Sequence, residues 1–293
     1  MKLNMITLSS WPSIVIRGIV LLGVAHRAYT RKTLTPLGVE VALMTGFFHS
    51  LPPTNLYLTL LVVFYLTSSK ATKYKEEIKS KKTKTPGSDH EATELTQRTH
   101  VQVLANSAVA TTLIIVSLFV TDPVLDDMLK AGVVGQYCAV IADTWSSELG
   151  ILSKSSPFLI TTFQRVPPGT NGGVTLFGLI AGTTGSALIS FVSMFTFKEN
   201  RVGKFVFFTL IGLLGTLVDS MLGALFQRSV VDKDDGLVLE PLGGERVDEG
   251  VLQEMEGHIQ VVSGEDMFSN NDVNIVMSVF TTMWCIGLYA LLF

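Results

Sequence analysis

What most narrows the fold of this chain is the recurrence of apolar runs long enough to cross a bilayer, near 12–26, 36–50, 55–69, 101–120, 130–147, 173–196, 204–226 and 272–293. A hydrocarbon core about 30 Å thick takes roughly 20 apolar residues of helix. In lipid every backbone N–H and C=O needs an internal partner, and a helix supplies one for each. The expected fold class is therefore all-α: one polytopic membrane helix bundle over 1–293, with about eight spans. The count falls to seven if the first run, which Arg17 interrupts, does not cross, and the second is short and ends at His49. Composition agrees, because charged residues are only 16% against roughly 25% in soluble domains, and the mean hydropathy is +0.44.

Other classes are set aside on composition. Cys138 and Cys285 both lie in apolar runs, with no Cys or His at metal-ligand spacing, so neither a disulfide framework nor a zinc site is expected. A net charge of −3 gives no footing for nucleic acid. The N-terminal residues have neither a signal-peptide layout nor the Arg- and Ser-rich character of a transit segment.

Two connections are hydrophilic. Residues 71–98, rich in Lys, Ser, Thr and Glu, read as a disordered loop, and 228–270 reads as an acidic one carrying Asp235-Gly236 and Ser263-Gly264 turns. The side holding 27–35, 70–100, 148–172 and 227–271 carries sixteen Lys and Arg, against five on the other. The positive-inside rule assigns the richer side to the cytosol, and an endomembrane such as the endoplasmic reticulum is the expected location.

With that parity every polar constellation falls at one membrane face. Lys70 and Lys73 end the third span, Asn106 opens the fourth, Asp143 to Glu148 closes the fifth, Gly169 to Thr175 opens the sixth, Asp219 lies low in the seventh, and Asn271 and Asn274 open the last. Desolvated polar groups are costly unless they pair or work, so a site is sought here. Plainer readings stand beside that one. The lysines also suit positive-inside anchors, Asn106 an interhelical bond, and Asn171 with its glycines a helix cap and turn. Gly178, Gly182 and Gly185 read as a small-residue packing face.

Spacing ranks the carboxylates. Gly215, Asp219 and Gly223 recur every four residues, which turns Asp219 toward the bundle interior. Asp143 and Ser147 share a helix face, whereas Asp143 and Glu148 stand ~140° apart on a regular helix and share a metal only if it unwinds. Carboxylates that hold Mg²⁺, lysines that neutralise charge, and a Gly-rich Thr-Asn loop whose amides cradle phosphate together suit phosphoryl transfer. Neither a Walker A pattern nor a kinase-type Gly-rich loop occurs.

The ordered set Ser68-Ser69-Lys70-Ala71-Thr72-Lys73, Val101 through Asn106, Ala142-Asp143-Thr144-Trp145-Ser146-Ser147-Glu148-Leu149-Gly150, Gly169-Thr170-Asn171-Gly172-Gly173-Val174-Thr175, Leu217-Val218-Asp219-Ser220 and Asn270-Asn271 through Asn274 resembles the transmembrane protein 19 family over nearly the whole chain. That family includes the phytyl-phosphate kinase of plant tocopherol biosynthesis. The resemblance implies a kinase that uses CTP or another nucleoside triphosphate to turn an isoprenoid monophosphate into the diphosphate. It implies Lys70, Lys73, Asn106, Asp143, Glu148, Thr170, Asn171, Asp219, Asn271 and Asn274 as site residues. The acidic 228–270 loop departs from the family pattern.

The expectation is thus an integral-membrane prenyl- or polyprenyl-monophosphate kinase with its lipid tail between spans. Asp143 and Asp219, with Glu148, would hold Mg²⁺; Gly169, Thr170, Asn171, Gly172 and Gly173 would cradle phosphate with Asn106, Asn271 and Asn274; Lys70 and Lys73 would neutralise charge. A transporter or lipid-binding protein is the alternative of another class, and it requires polar residues through to the far face. Transfer of a whole nucleotide to a lipid phosphate would use the same residues.

Overall fold

The computed structural model describes residues 11–85 and 97–293. Among the described residues, eight helices of fifteen residues or more dominate: α1 (Trp11–Thr30), α2 (Pro36–Ser50), α3 (Leu56–Lys73), α5 (His100–Ser117), α6 (Pro123–Gly150), α7 (Leu176–Ser193), α8 (Arg201–Phe226) and α10 (Asn270–Leu292), with the short α4 (Glu76–Lys79) and α9 (Glu249–Glu254) between them. Of these, α5, α7, α8 and α10 are long and apolar enough to cross a membrane. The helix starts follow local chemistry. Thr99 with Gln102 and Ser269 with Asp272 form capping boxes on α5 and α10, while Thr175 accepts from Gly178 N on α7 and Asp122 from Leu125 N on α6.

The centre of the bundle is α6, which packs on α3, α5, α7, α8 and α10 and is buried throughout from Ala131 to Ala142. Small residues set these approaches. A Cβ on Gly182 would stand 2.6 Å from Ala142 O, and one on Gly178 would stand 2.9 Å from Ser146 O, so α7 lies directly on α6. Large apolar side chains such as Ile16, Ile19 and Leu22 on α1, Ile180 and Phe191 on α7, and Met283 and Leu291 on α10 face outward, as a lipid-facing surface requires. Arg17 is accommodated by turning inward, where it donates to Asn55 Oδ1 and to the Ser50 and Pro52 carbonyls at 2.7–3.0 Å.

Outside the helices lies a small four-stranded sheet ordered β1 (Thr83–Lys84), β5 (Val238–Leu239), β4 (Ser229–Asp232), β6 (Ile259–Ser263). The acidic 228–270 segment is thus a folded cap with its own apolar cluster of Val230, Leu239, Val247 and Leu252. Part of the segment expected to be disordered joins it. Residues 76–79 form α4, and Thr83 pairs in parallel with Val238; the stretch 86–96 lies outside the described residues. A second, two-stranded ladder joins β2 (Phe158–Leu159) to β3 (Gly173–Val174) and closes the loop between α6 and α7.

Candidate functional site

The C-terminal ends of α3, α6 and α8 meet the N-terminal ends of α5, α7 and α10 at one end of the bundle, and there they frame a polar cavity of about 820 Å³ beneath the sheet. Asp143 and Asp219 face each other within it. The cause is helix packing one turn deeper: a Cβ on Gly215 of α8 would stand 3.0 Å from Ala139 Cα of α6. Both helices run toward the cavity, so four residues onward, about 6 Å along each axis, Asp143 and Asp219 come opposite one another and their carboxyl groups interact directly. Asp219 Oδ2 is buried without a hydrogen-bond partner among the described residues, as are Thr216 Oγ1 and Asn274 Oδ1 in the same wall.

Glu148 stands apart from this pair. Its Oε1 accepts from Thr72 Oγ1 at 2.7 Å and its Oε2 from Lys79 Nζ at 2.8 Å. The helix stays regular through Gly150, so the ~140° separation from Asp143 persists. Among the described residues no cluster of three or more His, Cys, Asp or Glu is gathered for a metal. The donor set that fits Mg²⁺ is the facing pair with its orphaned oxygen, since this ion characteristically takes one or two carboxylates and completes its shell with phosphate and water.

The cationic side differs from the one read in the sequence. Lys70 is exposed and does not line the cavity, while Lys73 lines it and donates to Arg31 O at 2.9 Å. Lys79 and Arg98, which the sequence reading passed over, are built into the wall. Lys79 donates to the Ala71 and Thr72 carbonyls at 2.7 Å as well as to Glu148. Arg98 Nη2 donates to Thr72 Oγ1 at 3.2 Å, and its backbone is clamped between the starts of α2 and α5 by bonds of 3.0 Å to Thr33 O and from Thr35 N. Burial pulls the Arg98 guanidinium below its ordinary value, against the opposing pull of Glu148 and Asp143.

The Gly-rich loop lines the cavity from Gly169 to Gly173, but much of its backbone is committed to the protein itself. Thr170 N donates to Pro167 O, Asn171 N to Ser229 Oγ at 2.9 Å and Gly173 N to Thr170 O at 2.9 Å. Gly172 has φ +74°, and a Cβ there would stand 2.6 Å from both Ser220 O and Ala224 N, so its missing side chain seats the loop on α8 directly after Asp219. The Thr170, Asn171 and Gly173 amides thus serve the protein itself, while the loop both braces α8 and lines the cavity with Asn171.

The asparagines divide. Asn274 lines the cavity, whereas Asn271 braces the cap by donating to Gly243 O at 2.9 Å and Glu245 Oε1 at 3.2 Å. Asn106 Nδ2 donates to Gln102 O, while its own carbonyl accepts from Gln136 of α6 at 2.7 Å.

Residues 19–282 match the family model described as Integral membrane protein DUF92. The chain belongs to that family. It is 36% identical over 279 residues to Protein PGR of Arabidopsis thaliana, covering 88% of this chain and 90% of that one. It is 36% identical over 151 residues to an uncharacterized membrane protein of Methanocaldococcus jannaschii, covering 51% and 60%. It is also 30% identical over 126 residues to Protein VTE6, chloroplastic, of Arabidopsis thaliana, covering 43% and 38%. No solved structure matches. The DUF92 assignment accords with the resemblance read from the motifs.

Proposed function

We propose that this DUF92 protein is a membrane kinase that transfers the terminal phosphoryl group of a nucleoside triphosphate, CTP or another, to a prenyl or polyprenyl monophosphate. The observation that carries the reading is the Asp143–Asp219 pair, set at the floor of a large polar cavity at one end of an otherwise apolar bundle. Two facing carboxylates in such a place suit a divalent cation that also binds a polyphosphate, since the cation's positive charge offsets their mutual repulsion. The family resemblance, which includes a phytyl-phosphate kinase, gives the acceptor class.

In the reaction, an oxygen of the lipid phosphate attacks the γ-phosphorus, and the bond from that phosphorus to the β–γ bridging oxygen breaks. The products are the lipid diphosphate and a nucleoside diphosphate. Mg²⁺ held by Asp143 and Asp219 would supply charge neutralisation for the phosphates. Arg98, Lys79 and Lys73 surround the same space as counter-charges, and Asn171, Asn274 and Thr216 offer polar groups that orient oxygens. The acceptor is already anionic near neutral pH, so catalysis calls for positioning and electrostatics without a strong base. The burial of α6 from Ala131 to Ala142 closes the bundle below the cavity, which favours a one-sided site over a translocation path. The cavity is assigned to the cytosolic face, where nucleotide is available, in agreement with the Lys and Arg balance.

Purified protein in detergent, given labelled nucleoside triphosphates and a panel of isoprenoid monophosphates, should form the corresponding diphosphate with release of nucleoside diphosphate. A product that retains the nucleoside would replace the kinase reading with nucleotidyl transfer. Absence of product with every donor and acceptor would remove the enzymatic reading.

A further inference from the structure

The adjoining ends of α1 and α3 carry a cationic patch beside the polar cavity. Arg31 N donates to Arg27 O at 2.9 Å, so helical geometry continues through Arg31 and the two arginines, four apart, share a face. Lys70 and Lys73, three apart near the end of α3, share a face in the same way. The two helix ends are tied together, because Lys73 Nζ donates to Arg31 O at 2.9 Å and Thr33 Oγ1 bonds the Tyr65 hydroxyl at 2.7 Å. Arg27, Arg31, Lys32, Lys70, Lys73 and Lys75 are all exposed, and no Asp or Glu occurs within 26–32 or 67–75. Among the described residues none of these cations forms an ion pair. Tyr29 and Tyr74 are exposed among them, and Lys75 Nζ lies 5.4 Å from the centre of the Tyr74 ring.

We infer that the ends of α1 and α3 form a binding surface for anionic lipid headgroups of the surrounding leaflet, at the rim of the polar cavity. The surface is continuous with the outward apolar face of α1, where Ile16, Ile19 and Leu22 meet lipid tails, so its neighbour is the bilayer. Depth agrees with that placement. Arg27 lies four residues, about 6 Å, below Arg31, and Lys70 three residues, about 4.5 Å, below Lys73. The two rows of cations therefore span a layer about as thick as the headgroup region, which is roughly 5–7 Å on each side of the hydrocarbon core. Long cationic side chains reach phosphates across such a layer, and exposed tyrosines favour the same level. Six cations without carboxylate partners complement anionic headgroups and offer nothing to a zwitterionic one beyond its phosphate. Lys73 belongs both to this surface and to the cavity wall, so a headgroup bound here stands at the cavity mouth. On the kinase reading, on which this step alone rests, the patch gathers the anionic lipid acceptor where it enters the site.

The test reconstitutes the full chain in phosphatidylcholine bilayers and compares how much spin-labelled phosphatidylglycerol and spin-labelled phosphatidylcholine it immobilises, without nucleotide. One cation near a membrane surface favours an anionic headgroup about fivefold, so the wild-type protein should prefer phosphatidylglycerol by about that factor or more at low salt. The preference should shrink at high salt, as exposed charges are screened. Combining Arg27→Gln, Arg31→Gln and Lys70→Gln should bring the ratio close to one. The charge-keeping set Arg27→Lys, Arg31→Lys and Lys70→Arg should retain it, as should Lys154→Gln with Lys233→Gln, which removes exposed cations elsewhere. Equal immobilisation of the two lipids by the wild-type chain, or an unchanged ratio in the neutralised variant, would overturn the inference. So would an equal loss in the Lys154 and Lys233 variant, since net charge alone would then explain the preference. A headgroup preference with no diphosphate formed from any acceptor would sink the kinase reading and leave the surface standing. Diphosphate formed by a chain that shows no headgroup preference would sink the surface alone.

Discussion

Lys79 Nζ lies 2.8 Å from Glu148 Oε2, joining a one-turn helix in a charged loop to the last turn of the central helix of the bundle. Both side chains are mostly buried, at 11% and 24% exposure, and Lys79 also satisfies two carbonyls at the end of α3. The pair therefore fastens residues 74–85, and with them the β1 edge of the cap, to the cavity rim.

Lys79→Met would leave a Glu148 oxygen and two carbonyls short of a donor, a loss of about 1–3 kcal/mol. Thermal denaturation in detergent should show it, together with faster amide exchange confined to 74–85. Because the two residues share one interaction, Lys79→Met with Glu148→Gln should cost less than the separate effects added together. Full additivity would mean that the contact contributes nothing.

Asp143→Asn and Asp219→Asn each replace a charge with an amide of nearly the same shape. On the proposed function, either change should lower turnover on the order of 100-fold or more while the protein remains monodisperse and helical. It should also raise the Mg²⁺ concentration needed for half-maximal activity. Activity with an unchanged Mg²⁺ response would remove that residue from the ligand set, and aggregation of both variants would assign the pair to structure instead.

The long helices and the carboxylate pair were legible because each leaves a periodic trace. Apolar runs of spanning length mark the helices, and the Gly215–Asp219–Gly223 spacing turns one carboxylate inward. The small-residue face of Gly178 and Gly182 packs on α6 as that spacing implied. The cap left no such trace. Strands of two residues, β1 and β5, are too short for alternation to appear, and they pair across some 155 positions of chain, Thr83 with Val238. Lys79 and Arg98 sit in a stretch whose composition reads as solvated charge, and only their distant partners Glu148, Thr33 and Thr35 give them fixed places. The glycine loop's place at the cavity was legible, but its bond to the cap was not, because Ser229, 58 residues away, takes the Asn171 amide, and no local pattern announces that.

Loops 148–172 and 227–271 line a single cavity, so they share one side of the membrane whichever side that is. Cys138 and Cys285 are buried and free, which leaves the wild-type chain a quiet background for labelling. Single cysteines at the exposed positions Lys154 and Asp235 should react with an impermeant maleimide from one side only, and the Lys and Arg balance predicts that side to be the cytosol. Reaction of the two from opposite sides would separate the loops and dismantle the shared cavity.

The glycine at 172 distinguishes a loop that touches phosphate with its backbone from one that positions a helix. Its φ of +74° falls where L-residues are disfavoured, and an added Cβ would collide with the α8 backbone at Ser220 and Ala224. Left-handed backbone strain of about 1–2 kcal/mol and overpacking of about 1–3 kcal/mol should together lower stability by about 2–5 kcal/mol in Gly172→Ala. The displaced end of α8 should carry Asp219 out of register with Asp143, so turnover should fall in the protein that remains folded. Asn171→Ala leaves Gly172 and the Asn171 amide bond to Ser229 in place and removes only the side chain that lines the cavity. It should therefore weaken nucleotide or lipid-phosphate binding with little change in melting temperature. If Asn171→Ala instead melts early and binds normally, its side chain serves the loop and not the ligand. If Gly172→Ala keeps full stability, the close seating of the loop on α8 is wrong.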